Sequence, residues 1–385
     1  MAKFPNFRNK HSRLVKLAVA PYIQFCMLAR LTLTNFRNHI DTHLTQASQF
    51  NLLVGDNGAG KTNILEALSL LTPGRGMRRA ALSEMAMHGQ GQGFGVGADL
   101  ALDESEPVRL ATYTQEAQAT RRKVRINGAD VGAGVLAEWL ALTWLTPAMD
   151  GLFTGPAADR RRFVDRMALA LDPTHASHAS RYEAALRERN RLLADTRAPE
   201  PAWLDAIEAQ MAQHGGRLIA GRAALVDALM LRIAHMPGAP FARPALTYVP
   251  GGADSPEALS QGLFENRARD RVAQRTLVGP HRDELQVVHA AKRVAAAQSS
   301  TGEQKAMLVA ITLAHAALTV DGRTGVLLLD EVAAHLDPVR RAALFEQLGS
   351  NGTQVWLTGT ETAPFDTILD RAAIWHVEGG EVSRL

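Results

Sequence analysis

The first residues with the makings of chemistry are Gly55, Asp56, Asn57, Gly58, Ala59, Gly60, Lys61 and Thr62, which follow the apolar run Phe50, Asn51, Leu52, Leu53, Val54. Glycines in this pattern let consecutive backbone N–H groups turn inward around an anion. The lysine ammonium then reaches the terminal phosphates, and the threonine hydroxyl is a hard ligand suited to Mg2+. Ile64, Leu65, Leu68 and Leu71 continue at helical spacing, which sets a helix N-terminus and its partial positive charge under the same anion. Strand, glycine loop and helix in that order predict a site for the phosphates of a nucleotide.

A second acidic element lies far downstream, where Val326, Leu327, Leu328 and Leu329 form an apolar strand ending in Asp330 and Glu331. An aspartate at the carboxyl end of such a strand can hold a magnesium shell, and the next glutamate can orient or deprotonate an attacking water. The pattern is common alone; beside a phosphate loop it predicts the other half of one site. Between the two, Ser299, Ser300, Thr301, Gly302, Glu303, Gln304 and Lys305 lead into an apolar helix. Ser300 and Glu303 form a capping box that needs no ligand. The same geometry offers a hydroxyl and free N–H groups to a phosphate carried on another surface. After Glu331 come Leu336 and Asp337, then a strand Gln354, Val355, Trp356, Leu357 that runs into Thr358, Gly359 and Thr360.

The elements that must position these groups belong to a chain of 385 residues, too long for one simple core, so two lobes or an α/β domain with an insertion are expected. With 46% hydrophobic and 21% charged residues, a mainly disordered or collagen-like chain is excluded. No uninterrupted apolar run is long enough for a membrane span. The single Cys26 permits neither an intrachain disulfide nor a cysteine-built zinc site, which fits a reducing, cytoplasmic setting. Residues 1–40 hold no acid, and Lys3, Arg8, Lys10, Arg13 and Lys16 precede an apolar run that Pro21 and Gln24 interrupt. Met27 opens an alternating strand with Leu31 and Leu33 on one face. Residues 1–26 are therefore expected to be a basic leader, disordered or a mis-assigned start, with Met27 as the natural beginning.

Spacing between Thr62 and Ser300 exceeds what a nucleotide-binding core needs, so an inserted lobe is expected. A helix is predicted over 156–171, stopped by Asp172 and Pro173. A second covers about 174–195, with Tyr182, Leu186, Arg189 and Leu193 on one face. A third follows Pro199 and Pro201 and aligns Trp203, Ile207, Met211, Leu218, Leu225, Leu229 and Ile233. The expected division is an N-terminal half of an ATPase lobe at 27–150 with the phosphate loop, a helical insertion at 151–270, and a C-terminal half at 271–385 with the remaining motifs.

Phosphate loop, S-x-G-E segment, acidic strand, Leu336–Asp337 and polar-ended final strand follow the order of ABC-type ATPases. More narrowly, the chain from 27 to 385 resembles the RecF family of recombination-mediator ATPases. The likeness is carried by Arg37–Asn38, Gly74–Arg75, Arg160–Arg161–Arg162–Phe163–Val164–Asp165, Arg189–Asn190–Arg191–Leu192–Leu193 and, most specifically, Val278–Gly279–Pro280–His281–Arg282–Asp283. The resemblance implies an α/β fold: an ABC-type P-loop ATPase head with a mixed sheet, similar to Rad50 and SMC heads, plus an inserted, mostly helical lobe. It implies that residues 55–62 bind ATP in one subunit while Ser300 and Gly302 of another contact the γ-phosphate. Lys61 and Glu331 would be the catalytic pair, Glu331 as base, with Mg2+ on Thr62 and Asp330. It further implies an ATP-dependent homodimer on double-stranded and gapped DNA, RecR and RecO as partners, recombinase loading as the outcome, and a weak, DNA-stimulated ATPase. Two departures stand out: Thr358, Gly359 and Thr360 replace the histidine many ABC ATPases carry after the last core strand, and Thr146, Pro147, Ala148, Met149 and Asp150 occupy the stretch where a glutamine would be expected.

Other ABC-type ATPases, a transporter subunit or an SMC-like chromosome protein, are the alternative. SMC and Rad50 chains need sustained heptads, for which the insertion has no room. A P-loop kinase or metal-dependent nuclease would call for a small-molecule pocket or a second acidic cluster. Net charge is only +3, and seven of the 42 cations are lysines, the rest arginines. Their clustering says more: Arg75, Arg78 and Arg79; Arg121, Arg122 and Lys123 at a hairpin predicted before Asn127–Gly128; and Arg160, Arg161 and Arg162, opening a stretch to 197 with nine arginines against five acids. Arginine forks suit phosphate, and aromatics are 5%, so the expected DNA contact is independent of sequence and sensitive to salt.

Overall fold

A computed structural model describes residues 27–87, 89, 93–101, 106–197, 199–319 and 323–385; the expected leader at 1–26 and Cys26 lie outside them. The chain opens with β1 (Met27–Phe36) and β2 (His39–Thr45), then β3 (Phe50–Val54), α1 (Lys61–Ser69) and the short α2 (Leu82–Met85). Four strands follow: β4 (Gly95–Ala101), β5 (Val108–Gln115), β6 (Gln118–Ile126) and β7 (Ala129–Val131). They extend β1 into an antiparallel sheet of order β2-β1-β4-β5-β6-β7. The expected hairpin joins β6 to β7 through Asn127 and Gly128, at φ 47° and 83°, the positive angles a two-residue turn needs to match strand twist.

After β8 (Leu140–Leu145) come α3 (Ala157–Leu171), α4 (His175–Ala194) and α5 (Pro201–His235). Pro201 opens α5 at a position where its missing N–H costs nothing. α5 runs 35 residues. Its first half lies antiparallel to α4, with Arg189 on Glu208 and His178 on His214, and Gly215 and Gly216 let another helix approach. A Cβ on Gly216 would stand 2.4 Å from Pro256 Cγ. That neighbour is α6 (Pro256–Glu265), reached through β9 (Pro244–Val249) and followed by α7 (Arg267–Ala273). Trp203, placed by periodicity on the inner stripe of α5, is 61% exposed, whereas Met211, Leu218, Leu225, Leu229 and Ile233 are buried. Trp203 stands in the first turn of the helix.

The remainder consists of β10 (Glu284–His289), β11 (Val294–Ala295), α8 (Thr301–Ala316), β12 (Thr324–Leu329), α9 (Pro338–Ser350), β13 (Gln354–Gly359), β14 (Ala372–Glu378) and β15 (Glu381–Arg384). β9, β10 and β11 make a small antiparallel sheet, so the stretch read as helical contains a strand. The central sheet has the order β15-β14-β3-β13-β12-β8; its inner strands are parallel and β15 is antiparallel to β14. It is mixed. Parallel strands covered on both faces read as continuous apolar runs, and β12 divides its residues accordingly. Leu327 and Leu329 join the core under α3, α5, α8 and α9; Val326 and Leu328 join the core shared with α1 and the antiparallel sheet. Burial on both sides fixes the register and holds the carboxyl ends of β3, β12 and β13 together.

Candidate nucleotide site and basic surfaces

The loop between β3 and α1 is shaped by glycines at φ 152° (Gly55), 84° (Gly58) and 120° (Gly60). At Gly55 a Cβ would lie 2.1 Å from the Val377 carbonyl oxygen, and at Gly60 one would lie 2.7 Å from Asn38 Nδ2 and 2.8 Å from His39 Nε2. Larger residues are thus excluded by both angle and space. Lys61 Nζ donates to the carbonyls of Gly55 (2.5 Å) and Asp56 (2.7 Å), folding its ammonium over the loop. Burial pulls the Lys61 pKa down, while the carboxylates of Glu331, Asp330 and Asp56 hold it up.

β12 delivers Asp330 opposite the start of α1. Thr62 Oγ1 donates to Asp330 Oδ1 at 2.9 Å, and Thr358 Oγ1, from the end of β13, donates to the same oxygen at 2.9 Å. Burial raises the Asp330 pKa, the two hydroxyls oppose that shift, and the neighbouring Glu331 adds to it. A hydroxyl and a carboxylate oxygen 2.9 Å apart match adjacent ligands of an octahedral ion with metal–oxygen distances of about 2.0–2.1 Å. The pair therefore fits Mg2+, which takes one or two protein oxygens and completes its shell with phosphate and water. Among the described residues no three His, Cys, Asp or Glu side chains form an all-protein metal cage. Glu331 has φ 53°, a left-handed conformation unfavourable for a non-glycine residue, and its N–H donates to Thr358 Oγ1 at 2.8 Å. Thr358, which stands where a histidine was expected, thus braces both acids.

Sequence reasoning missed His39. This fully buried imidazole donates from Nε2 to the Gly60 carbonyl at 3.1 Å, with Nδ1 3.1 Å from Thr42 Oγ1; burial lowers its pKa. Asn38 Nδ2 donates to the Ala59 carbonyl at 2.9 Å, and Arg37 makes a two-pronged pair with buried Glu66 of α1 at 2.9 and 2.7 Å. The segment after β1 holds the phosphate loop from outside. For His39 itself the signal was its place beside Arg37–Asn38, in a polar run after an alternating strand.

Ser300 caps α8. Its Oγ accepts from Glu303 N, and Glu303 Oε2 accepts from Ser300 N at 3.1 Å. Lys292 pairs with Glu303, and with the cap it holds that carboxyl down at about 2. The hydrogen bonds of Ser300 are thus local. Gly302 is different, because a Cβ there would meet nothing within 4 Å; its own chain gives no reason for a glycine. In the 146–150 stretch, Asp150 accepts from Lys305 Nζ of α8 at 3.3 Å.

The arginine clusters separate into braces and surface. Arg122 donates to Thr112 Oγ1 (2.6 Å) and to the carbonyls of Leu70, Thr72 (3.1 Å) and Gly74 (2.7 Å), and burial lowers its pKa to about 10. Arg160 grips Glu284 with two bonds of 2.7 and 2.8 Å, Arg161 donates to the Asp283 carbonyl at 3.0 Å, and Arg78 pairs with Glu66 at 3.0 Å. Arg189, counted in the basic stretch, is fully buried between Glu208 and Asp270. Arg75, Arg79, Arg121 and Arg162 remain exposed, and Lys123 reaches only Gln115. Arg162 also pairs with Asp159. The 278–283 motif is a lock: Asp283 accepts from Arg222 (2.7 Å), Tyr248 and Gly251 N (2.8 Å), and Tyr182 donates to His281 at 2.8 Å.

Residues 27–380 match the family described as RecF/RecN/SMC N terminal domain. The chain is 47% identical over 369 residues to the DNA replication and repair protein RecF of Mesorhizobium japonicum, covering 92% of this chain and 97% of that one. It is 46% identical over 370 residues to that of Rhizobium meliloti, covering 92% and 98%. A structure of the recombination mediator RecF with ATP superposes with a TM-score of 0.82 at 20% identity, over 95% of this chain and 100% of that one. An Smc head from Pyrococcus furiosus, bound to the C-terminal domain of ScpA, gives 0.54 at 15%, over 94% and 96%. The fold is that of an ABC-type head, and with near-half identity sustained along the full length of its relatives the chain belongs to the RecF family.

Proposed function

We propose that this chain is an ATP-operated clamp on double-stranded DNA, acting in the cytoplasm near gaps and single/double-strand junctions in recombinational repair and replication restart. The observation that carries the nucleotide part is the 2.9 Å pair of Thr62 and Asp330 behind the glycine loop. The N–H groups of residues 55–62 take the phosphates, and Lys61 exchanges its two carbonyl partners for phosphate oxygens. Thr62 and Asp330 hold Mg2+, whose charge, when bound, offsets that of the phosphates. Glu331 accepts the proton of the attacking water, making the chain a weak, DNA-stimulated ATPase. The open space around Gly302 supports a role in trans: the α8 N-terminus of one protomer closes over the nucleotide held by its partner. Two protomers head to tail then grip DNA until hydrolysis releases it. Relatives of this family are named for DNA replication and repair, and the matched mediator structure is described within the RecFOR pathway; RecR and RecO are the proposed partners, and loading of recombinase the outcome. Arg75, Arg79, Arg121, Lys123 and Arg162 are the proposed phosphate contacts among the predicted clusters. Sedimentation with and without ATP and duplex DNA tests the reading: a dimer that forms on ATP and co-sediments with DNA is expected, and a monomer indifferent to both would sink it.

A further inference from the structure

Beyond the nucleotide site, the structure has a cleft of about 890 Å3 walled by the 72–79 loop, the segment after β8, and helices α3 and α4. Trp144, Met149, Leu152 and Phe163 give it an apolar lining, and Arg75, Arg79, Arg162 and Arg181 also line it. Its least ordinary member is Arg166. The guanidinium lies over the Trp144 ring at 4.3 Å and near Phe163 at 5.4 Å. Nη2 donates to the Trp144 carbonyl at 3.3 Å and approaches Met149 Sδ at 3.7 Å; Nε is buried without a partner among the described residues. Burial alone acts on its charged form, with no carboxylate offsetting it. The acids on the cleft wall are engaged elsewhere: Asp159 with Arg162, Asp165 with Arg222 and His175 at 2.8 Å each, and Glu183 with Arg187 at 3.9 Å.

Arg166 as a whole is half-buried, but a guanidinium with a buried, unpartnered Nε and no carboxylate beside it is unfavourable for folding, which suits the cleft to an incoming anion. We propose that this cleft is a phosphate-binding site, with Arg166 as its inner anchor and Arg79, Arg162 and Arg181 closing on the anion from the rim. Several guanidinium forks around one cavity suit a tetrahedral anion with many acceptor oxygens better than a single carboxylate. The phosphate comes either from a DNA backbone or from a free nucleotide. The walls are continuous in sequence with elements of the nucleotide site. The 72–79 loop follows α1, and the 146–150 segment joins the neighbour of β12 to Lys305 of α8 through Asp150.

The test uses the full chain and Arg166→Met, which removes the charge while keeping an unbranched side chain over Trp144. In phosphate-free buffer the melting temperature of the variant should equal or exceed that of wild type, because an unpaired charge has gone. Two arms identify the source. Binding of a short duplex in the presence of ATP should weaken about tenfold, with the salt slope reduced by about one. Thermal protection by inorganic phosphate should be present in wild type and lost in the variant. Loss in the duplex arm assigns the DNA backbone; loss in the phosphate arm alone assigns a free phosphate; both support the cleft. Unchanged binding in both arms, or a destabilised variant with unchanged binding, overturns the proposal while leaving the DNA reading of the previous section intact. If neither protein binds duplex yet phosphate protects only wild type, that earlier reading fails and the cleft stands. Should Arg166→Met not fold, Arg181→Gln on the exposed rim carries the same two arms.

Discussion

At the residue scale, the nucleotide site depends on side chains whose work differs from what their types announce. Thr358 is no bystander, since its hydroxyl donates to Asp330 and accepts from the Glu331 N–H. Thr358→Val would leave that N–H unpaired, a loss of about 1–3 kcal/mol. It would also remove one of the two bonds that oppose the raised Asp330 pKa. The carboxyl then charges at higher pH than in wild type, so the Mg2+ requirement for ATP binding should rise, and rise more as the solution is acidified. An Mg2+ titration of nucleotide binding checks this; equal midpoints for variant and wild type would remove Thr358 from the site. Glu331→Gln keeps shape but cannot accept a proton. ATP should bind with near wild-type affinity, turnover should nearly stop and the closed dimer should accumulate, whereas ordinary turnover would place the base elsewhere.

At the element scale, the observed cap and the proposed lid would make different demands on α8. As a capped helix it needs Ser300 and Glu303 only; as a lid over a second protomer's nucleotide it also needs the space around Gly302. Ser300→Arg separates them. Loss of a cap costs about 1 kcal/mol and leaves ATP binding and dimerisation intact, whereas obstruction of a lid leaves ATP binding by the protomer intact and blocks ATP-driven dimerisation. Mixing Ser300→Arg with Lys61→Ala, which on its own should lose tight ATP binding, gives head-to-tail dimers with one site intact and one doubly broken. Partial recovery of dimer and ATPase in the mixture is expected. Undiminished dimerisation of Ser300→Arg alone would reduce α8 to a capped helix.

For the whole molecule, buried neutral histidines set the acid limit. Burial lowers the pKa values of His39 and His281, and His315, which donates to the Met167 carbonyl at 2.9 Å, is pushed down to about 4. The unfolded chain takes up these protons near pH 6.5, and the folded chain only at lower pH. The unfolded state thus binds more protons across that window, and stability rises with pH between about 4 and 6.5, falling as the solution is acidified. His315→Gln retains a donor for Met167 without titrating. It should flatten the dependence of unfolding free energy on pH in this window by up to one proton, about 1.4 kcal/mol per pH unit, in denaturant titrations. An unchanged slope would show that His315 is not among the groups responsible.

What the sequence by itself determined was everything local. The phosphate loop, the apolar strand ending in two acids, the capping box of α8, the Asn127–Gly128 hairpin and the stop of α3 at Asp172 each follow from a few adjacent residues, whose backbone angles and hydrogen bonds are set within a turn or two. Only the tertiary structure decided which arginines are surface. Arg122, Arg160 and Arg189 read like Arg79 and Arg162 in the chain, but carbonyls and carboxylates, several of them 19 to 124 positions away, claim them, and sequence spacing carries no record of such distant partners. The same holds for Trp203, which stays exposed although periodicity puts it on the inner stripe, and for Thr358 and His39, whose roles exist only because β13 lies between β3 and β12 and β1 ends beside the loop. It holds above all for Arg166, one basic residue among many along the chain, whose lack of a counter-ion becomes visible only once every nearby carboxylate has found another partner.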